Sequence, residues 1–263
     1  MPQPMLLSIA GLLGLAVGSF LNVVIHRVPD DQSVIRPGSH CPHCGAAVRN
    51  RHNIPVFGWL LLRGRCADCA APISARYPLV EAGTAALFVA VTAHFGLSWE
   101  LPAYLYLAGV AVALAAIDLD TMRLPDAIVL PSYGIAIALL TPAMIAEHGW
   151  AAGTRSLLAG AALCALYFAI ATVHRGMGFG DVKLALLLGL YLGFLGWQFL
   201  AVGAFAGFLL GGVVGAVLLA AGRATRKTRI PFGPSMLAGA LLAVFAGAPV
   251  ADWYLGLINT TAA

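Results

Sequence analysis

Long apolar runs dominate the chain and alternate with short polar segments. A helix needs about 20 apolar residues to cross the hydrocarbon core of a bilayer, and the chain has eight runs near that length. They lack the alternation over about ten residues that is typical of a membrane barrel. The pattern predicts an all-α polytopic membrane protein with about eight transmembrane helices. Their expected spans are 5–26, 79–97, 101–117, 127–146, 152–173, 182–197, 199–221 and 235–257.

Composition supports a bilayer as the main solvent. Of the 263 residues, 60% are hydrophobic and only 10% are charged, which is too few charges to cover a soluble domain of this size. The first run could be mistaken for a secretory signal. However, Met1 to Met5 contains no Lys or Arg, and the basic residues begin after the run, at Arg27. We therefore expect a retained first helix with its N-terminus outside.

The basic residues predict the orientation. If the spans alternate from that start, four segments face the cytoplasm and both termini lie outside: 27–78, 118–126, 174–181 and 222–234. Fourteen of the fifteen Lys and Arg residues fall in or beside these segments, as expected for cytoplasmic loops, and Arg155 is the exception.

The net charge of +4 does not indicate nucleic-acid binding. The topology explains the bias, and there is no basic stripe interleaved with aromatic residues. One short basic loop contains Arg223, Arg226, Lys227 and Arg229. We expect this loop to contact anionic membrane lipids.

Two CxxC pairs lie in the only long polar segment, 27–78. Cys41 and Cys44 form the first pair, Cys66 and Cys69 the second, and 21 residues separate them. This spacing predicts a structural four-cysteine zinc site, since four thiolates leave no open position for water. Disulfides are the alternative, but a cytoplasmic loop is reduced. A segment of about fifty residues also needs such a metal, or docking against the helices, to be stable.

Other residues near these motifs have simpler interpretations. His40, His43 and His52 lie near the cysteines and could replace a ligand, although we expect them to be solvated. Cys164 lies within a membrane run and is interpreted as a packing residue. One run also carries glycines at intervals of four, which predicts close packing of a neighbouring helix. They are Gly203, Gly207, Gly211 and Gly215.

Aspartates at the ends of the membrane runs are candidate functional residues, because carboxylates are costly at membrane depth. Asp118 and Asp120 end the third run, and Asp181 precedes the sixth on the same predicted side. A close pair of carboxylates shares one proton and can hydrolyse a peptide bond without a metal. Alternatively, Asp181 only caps its helix and the others are interfacial charges. The pattern does not choose between Asp118 and Asp120, and Asp126 is a candidate helix cap.

Several ordered motifs together resemble the prepilin peptidases, also called type IV leader peptidases, a family of GxGD-type membrane aspartyl proteases. The resemblance extends over most of the chain. Besides the two CxxC pairs, the matching segments are 18–27, 53–55, 62–66, 76–81, 117–120, 124–126, 176–184 and 231–234.

The resemblance implies the catalytic residues and the substrate. The family's first catalytic aspartate stands seven residues before the proline of an Ile/Leu-Pro pair, here Pro125, which selects Asp118 over Asp120. The second ends the GxGD motif, here Asp181. The implied substrates are type IV prepilins or type II secretion pseudopilins, whose basic leader is removed at the cytoplasmic face of the inner membrane.

The resemblance also implies a second activity. Many members methylate the new N-terminus with S-adenosylmethionine through their N-terminal cytoplasmic region, which this chain retains. No cofactor-binding residue can be assigned from sequence, and no oligomeric state is predicted. The expected domains are a first transmembrane helix (1–26), a zinc-binding, methyltransferase region (27–78) and a multi-helix peptidase domain (79–263).

Three other functions are compatible with parts of the pattern. A proton-coupled transporter would also be polytopic, but it usually places its carboxylates near mid-membrane. A zinc metalloprotease would need an open metal position, and there is no H-E-x-x-H motif. A non-enzymatic assembly protein could use the metal loop for docking. It would tolerate loss of the aspartates.

Overall fold

The computed structural model describes residues 2–173, 178–223, 225 and 228–261, with side chains to residue 257. Eight long α-helices and one short one account for most of these residues, and the described part of the chain contains no strand beyond two isolated β-bridges. The predicted all-α fold is therefore confirmed. Two residues of the GxGD-region motif, Gly176 and Met177, and two of the basic loop, Arg226 and Lys227, lie outside the described residues.

The eight long helices correspond one to one with the eight predicted spans. Six helical stretches among the described residues are long and apolar enough to cross a membrane. One of them, 126–173, contains two of the helices, and the helix at 179–195 is not among the six. The helices are α1 (Gln3–Arg27), α3 (Arg76–Phe95), α4 (Leu101–Thr121), α5 (Asp126–Ala143), α6 (Gly149–Val173), α7 (Phe179–Leu195), α8 (Trp197–Ala220) and α9 (Gly233–Thr261), and the short one is α2 (Phe57–Leu61).

Helix ends differ from the prediction where charged residues continue a helix. α4 was expected to stop at residue 117 but runs to Thr121, so both Asp118 and Asp120 are helical. It ends where Met122 adopts a left-handed conformation (φ 52°) ahead of Pro125. α7 begins at Phe179, directly after its N-cap Gly178, and includes Asp181 in its first turn. Apolar length therefore underestimates both helices at the ends that carry the aspartates.

The chain divides into two compact units, Met1–Ala113 and Leu114–Ala263. In the first unit, α1 packs closely on α3, because Gly14 and Gly18 bring its backbone against Ala85 and Glu81. The long segment between these helices, including α2, forms the cysteine-rich loop. This division does not test the predicted functional domains, which remain a prediction.

In the second unit, α6 packs on α7 and α8 packs on α9. Ser156 on α6 donates a hydrogen bond to the Leu190 carbonyl across 2.6 Å. Arg155, the one basic residue predicted on the outer side, donates to the last carbonyls of α7, those of Gly193 (2.7 Å) and Phe194 (2.6 Å). It therefore acts as a C-terminal cap for α7, where a cation also complements the helix dipole.

The glycine stripe of α8 forms the surface on which α9 and the segment before it pack. Gly203 faces Ala240 and Ala243, and Gly207 faces Met236. Gly211 is covered by the ring of Phe232, which precedes α9. The predicted close approach of a neighbouring helix is confirmed at Gly203 and Gly207, whereas the nearest atom to a Cβ at Gly215 lies 3.9 Å away. The packing of Phe232 also positions the turn that leads to Gly233.

Candidate active site and metal cluster

Asp118 is a buried carboxylate near the end of α4, 4% exposed. Its Oδ2 accepts a hydrogen bond of 3.0 Å from the backbone N–H of Gly233, at the start of α9. A Cβ at Gly233 would lie 2.6 Å from the same oxygen, so only glycine allows the backbone this close. Asp120, two residues on, is exposed. Burial therefore distinguishes the two aspartates that the sequence pattern could not.

Asp181 is also buried, 8% exposed, in the first turn of α7. Its Oδ2 accepts the Gly178 N–H at 3.3 Å, which is half of a capping box. The alternative role as a helix cap is thus present in the structure. It does not exclude chemistry, because Asp118 and Asp181 lie close enough to interact electrostatically.

The sequence reasoning did not assign roles to several residues around this pair. Leu124 packs where a side chain at Gly180 would lie, and it also approaches Gly233. Tyr167 is fully buried, lies within electrostatic range of Asp181, and stacks on Phe208 with ring centroids 5.2 Å apart. The segments 124–126 and 231–234 belonged to the family resemblance, but nothing in the sequence indicated that both meet at the aspartates.

The sequence suggested that Asp126 caps α5, but in the structure it does not. Pro125 is the N-cap, and no side chain caps the helix. Both oxygens of Asp126 instead accept hydrogen bonds from Lys183 Nζ, at 2.7 and 2.8 Å. Tyr133 donates its hydroxyl to the Lys183 carbonyl across 2.9 Å. These contacts fix the start of α7, which carries Asp181, to α5.

The four cysteines of the two CxxC pairs come together in the first unit. The sulfurs of Cys41, Cys44, Cys66 and Cys69 all lie within 4.8 Å of one another, so the cluster can hold a metal ion. The ring of His40 bonds to the Gly38 carbonyl of its own loop at 3.0 Å, and no histidine belongs to the described cluster. Cys164 lies on α6, in the other unit.

The two CxxC turns have the same backbone hydrogen bonds at an offset of 25 residues. The Cys41 N–H donates to Ala46 and the Cys66 N–H to Ala71, at 2.9 and 2.8 Å. The residue after each second cysteine is left-handed, Gly45 with φ 70° and Ala70 with φ 58°. An alanine in that region costs about 1–2 kcal/mol, so the second turn is the more strained.

The thiols are prepared for a cation. The backbone N–H groups of Cys44 and His43 lower the pKa of the Cys41 thiol to about 6. The Ala71 N–H lowers the pKa of the Cys69 thiol, but desolvation and the other three cysteines raise it, and the resulting pKa is about 12. Four sulfurs this close cannot all ionise by themselves. A bound metal ion removes that conflict, because it binds thiolates and releases their protons.

A strained residue connects the loop to α3. Val56 has φ 63° and ψ −53°, outside the usual regions for a β-branched residue, at a cost of about 1–3 kcal/mol. Its N–H donates to Oε2 of the buried Glu81 across 2.6 Å. No local sequence pattern indicated this contact, since the two residues are 25 positions apart.

Comparison with known proteins shows the family of the chain. Residues 12–95 match the model of the Bacterial Peptidase A24 N-terminal domain, and residues 105–219 match the Type IV leader peptidase family. The chain belongs to the type IV leader peptidase family. The predicted resemblance is therefore confirmed. No solved structure matches the chain.

Curated relatives cover nearly the whole chain. A prepilin leader peptidase/N-methyltransferase of Stutzerimonas stutzeri is 38% identical over 274 residues, which is 93% of this chain and 92% of the relative. One of Aeromonas hydrophila with the same name is 38% identical over 94% and 93%. One of Myxococcus xanthus is 43% identical over 82% of this chain and 64% of the relative. The predicted enzyme class, a leader peptidase with N-methyltransferase activity, is confirmed by these matches.

Proposed function

We propose that this type IV leader peptidase removes the leader from prepilins or pseudopilins with Asp118 and Asp181 as its catalytic pair. The observation that carries the proposal is the pair of buried carboxylates that α4 and α7 bring together. Among the described residues, neither forms an ion pair with a Lys or Arg. Burial without a cation is costly for a structural carboxylate, and it is typical of functional ones.

The pair can perform peptide hydrolysis by general acid–base catalysis. One carboxylate takes a proton from a water molecule as the water oxygen attacks the scissile carbonyl carbon. The other, protonated, carboxyl hydrogen-bonds the developing oxyanion and gives its proton to the leaving amine nitrogen when the C–N bond breaks. The Gly233 N–H holds one oxygen of Asp118 in place during these steps. This mechanism needs no metal.

The four-cysteine cluster fits zinc in a structural role. With a Zn–S bond of about 2.3 Å, neighbouring sulfurs of a tetrahedron lie about 3.8 Å apart. The Cys41 and Cys69 sulfurs are 3.8 Å apart. Four such ligands saturate the ion, so the zinc would stabilise the loop rather than activate water.

Methyl transfer is assigned to the loop region, residues 27–78, with S-adenosylmethionine as the methyl donor for the new N-terminal amine. We also assign the loop and the aspartate pair to the cytoplasmic face of the inner membrane, because basic residues concentrate in these segments. Reporter fusions at the loop and at both termini would test this orientation. A periplasmic loop would contradict it.

The experiment that tests the function uses the purified protein in detergent with a full-length prepilin and S-adenosylmethionine. Mass spectrometry should show removal of the leader and a gain of one methyl group on the new N-terminus. Brief treatment with a chelator too weak to strip the cysteines should leave cleavage unchanged. Loss of cleavage at constant zinc content would favour a metalloprotease, and proton-driven solute uptake without cleavage would favour a transporter.

A further inference from the structure

The first unit contains a cavity that the peptidase chemistry does not use. Its volume is about 490 Å³, and it lies among the C-terminal end of α1, the start of α3 and the cysteine-rich loop. Pockets for small molecules and cofactors span roughly 300–1,000 Å³. The cavity is therefore large enough for a nucleoside-sized ligand.

Its walls carry buried polar side chains that the backbone holds in place. Glu81 (8% exposed) accepts the Val56 N–H, and Arg27 (9% exposed) donates to the Ser33 carbonyl at 2.9 Å. Asn22 on α1 is equally buried. Side chains fixed in this way are preorganised for a ligand that carries complementary charges.

Two aromatic side chains add flat apolar surface to the same cavity. Trp59 lines it and donates its indole N–H to the Ile73 carbonyl across 3.0 Å, which fixes the ring. Tyr77 lines it from the start of α3. Aromatic rings stack on purine bases without needing a particular base edge. The cavity thus combines an acidic group, a basic group and aromatic surface.

We infer that this cavity binds S-adenosylmethionine, with Glu81 as the counter-charge for the ligand's sulfonium. This inference rests on the proposed methyl transfer. The ligand carries a cation, a carboxylate and a purine, which match Glu81, Arg27 and the aromatic rings respectively. Cys41 and Cys66 of the cysteine-rich loop also line the cavity, so metal binding by the four cysteines would shape its wall.

The test measures binding of methyl-tritiated S-adenosylmethionine and of S-adenosylhomocysteine to the zinc-loaded full chain in detergent. Glu81→Gln keeps the shape and an acceptor for the Val56 N–H but removes the charge. It should weaken the binding of S-adenosylmethionine by at least about tenfold. The binding of S-adenosylhomocysteine, whose thioether sulfur is uncharged, should change much less. Asp31→Asn removes the same charge from an exposed residue that does not line the cavity, and it should leave the binding of both ligands unchanged.

A second pair of variants tests the volume. Val23 lines the cavity and Val24, its neighbour on α1, does not. Val23→Phe should weaken the binding of both ligands, and Val24→Phe should leave it unchanged. Equal binding of both ligands by wild type, Glu81→Gln and Val23→Phe would overturn the cavity assignment while leaving methyl transfer intact. If the wild type cleaves but neither binds the ligand nor methylates, the proposed methyl transfer itself fails, and the cavity assignment with it.

Discussion

Gly233 donates its backbone N–H to the Oδ2 of Asp118 across 3.0 Å, although 115 residues separate them in the chain. The contact joins the end of α4 to the start of α9. Phe232, the residue before Gly233, packs on Gly211 of the α8 stripe and so supports this contact. A stripe of small residues that serves helix packing therefore also fixes the backbone group that orients one candidate catalytic carboxylate.

Gly233→Ala should impair cleavage. The added methyl group would lie 2.6 Å from Asp118 Oδ2, so the carboxylate or the turn has to move. A displacement of about 1 Å at a catalytic group can cost on the order of 100-fold in rate. We expect kcat to fall by about that factor in a detergent assay with purified prepilin.

Gly212→Ala is the matched control for this change. Gly212 lies on α8, and a methyl group there meets nothing within 4 Å. It should cleave at the wild-type rate. Wild-type activity in Gly233→Ala, at equal expression, would mean that cleavage does not need the close approach of residue 233 to the Asp118 carboxylate.

Ala70→Gly should strengthen metal retention by the loop. Ala70 has a left-handed backbone, which glycine adopts without the strain that alanine pays there. The expected gain in the free energy of metal binding is about 1 kcal/mol. A chromogenic chelator should then remove the metal roughly fivefold more slowly. Ala67→Gly in the same turn lacks the positive φ and should not gain. Equal effects of both changes would show that the strain at Ala70 does not limit the site.

Arg155→Met should destabilise the second unit without touching the aspartates. The change removes two hydrogen bonds to the terminal carbonyls of α7 and leaves those carbonyls without the charge that complements them. Hydrogen bonds to charged groups contribute about 1.5–3 kcal/mol. We expect a lower Tm in detergent, with cleavage near wild type at low temperature. An unchanged Tm would contradict the capping role.

The sequence predicted the helices well because each apolar run is long enough to be unambiguous. Ends were harder to place, since the aspartates at residues 118 and 120 continue α4 despite their charge. The cysteine cluster was predictable from local spacing alone. By contrast, the contact between Glu81 and Val56 and that between Asp118 and Gly233 depend on tertiary packing, which no local pattern encodes.

Choosing between Asp118 and Asp120 shows the same limit. The two residues are two positions apart on one helix, and periodicity treats them alike. Only the family resemblance favoured Asp118 in sequence, whereas in the structure one is buried beside Gly233 and the other is exposed. Which of them is catalytic remains a prediction.

The most direct test compares prepilin cleavage by wild type, Asp118→Asn, Asp181→Asn and Asp120→Asn in membranes, with expression checked by immunoblot. The asparagine changes keep the size of each side chain and remove only its acid–base chemistry. We predict that the first two abolish cleavage and that Asp120→Asn largely retains it. Near wild-type cleavage by Asp118→Asn or Asp181→Asn would contradict the proposed aspartyl mechanism.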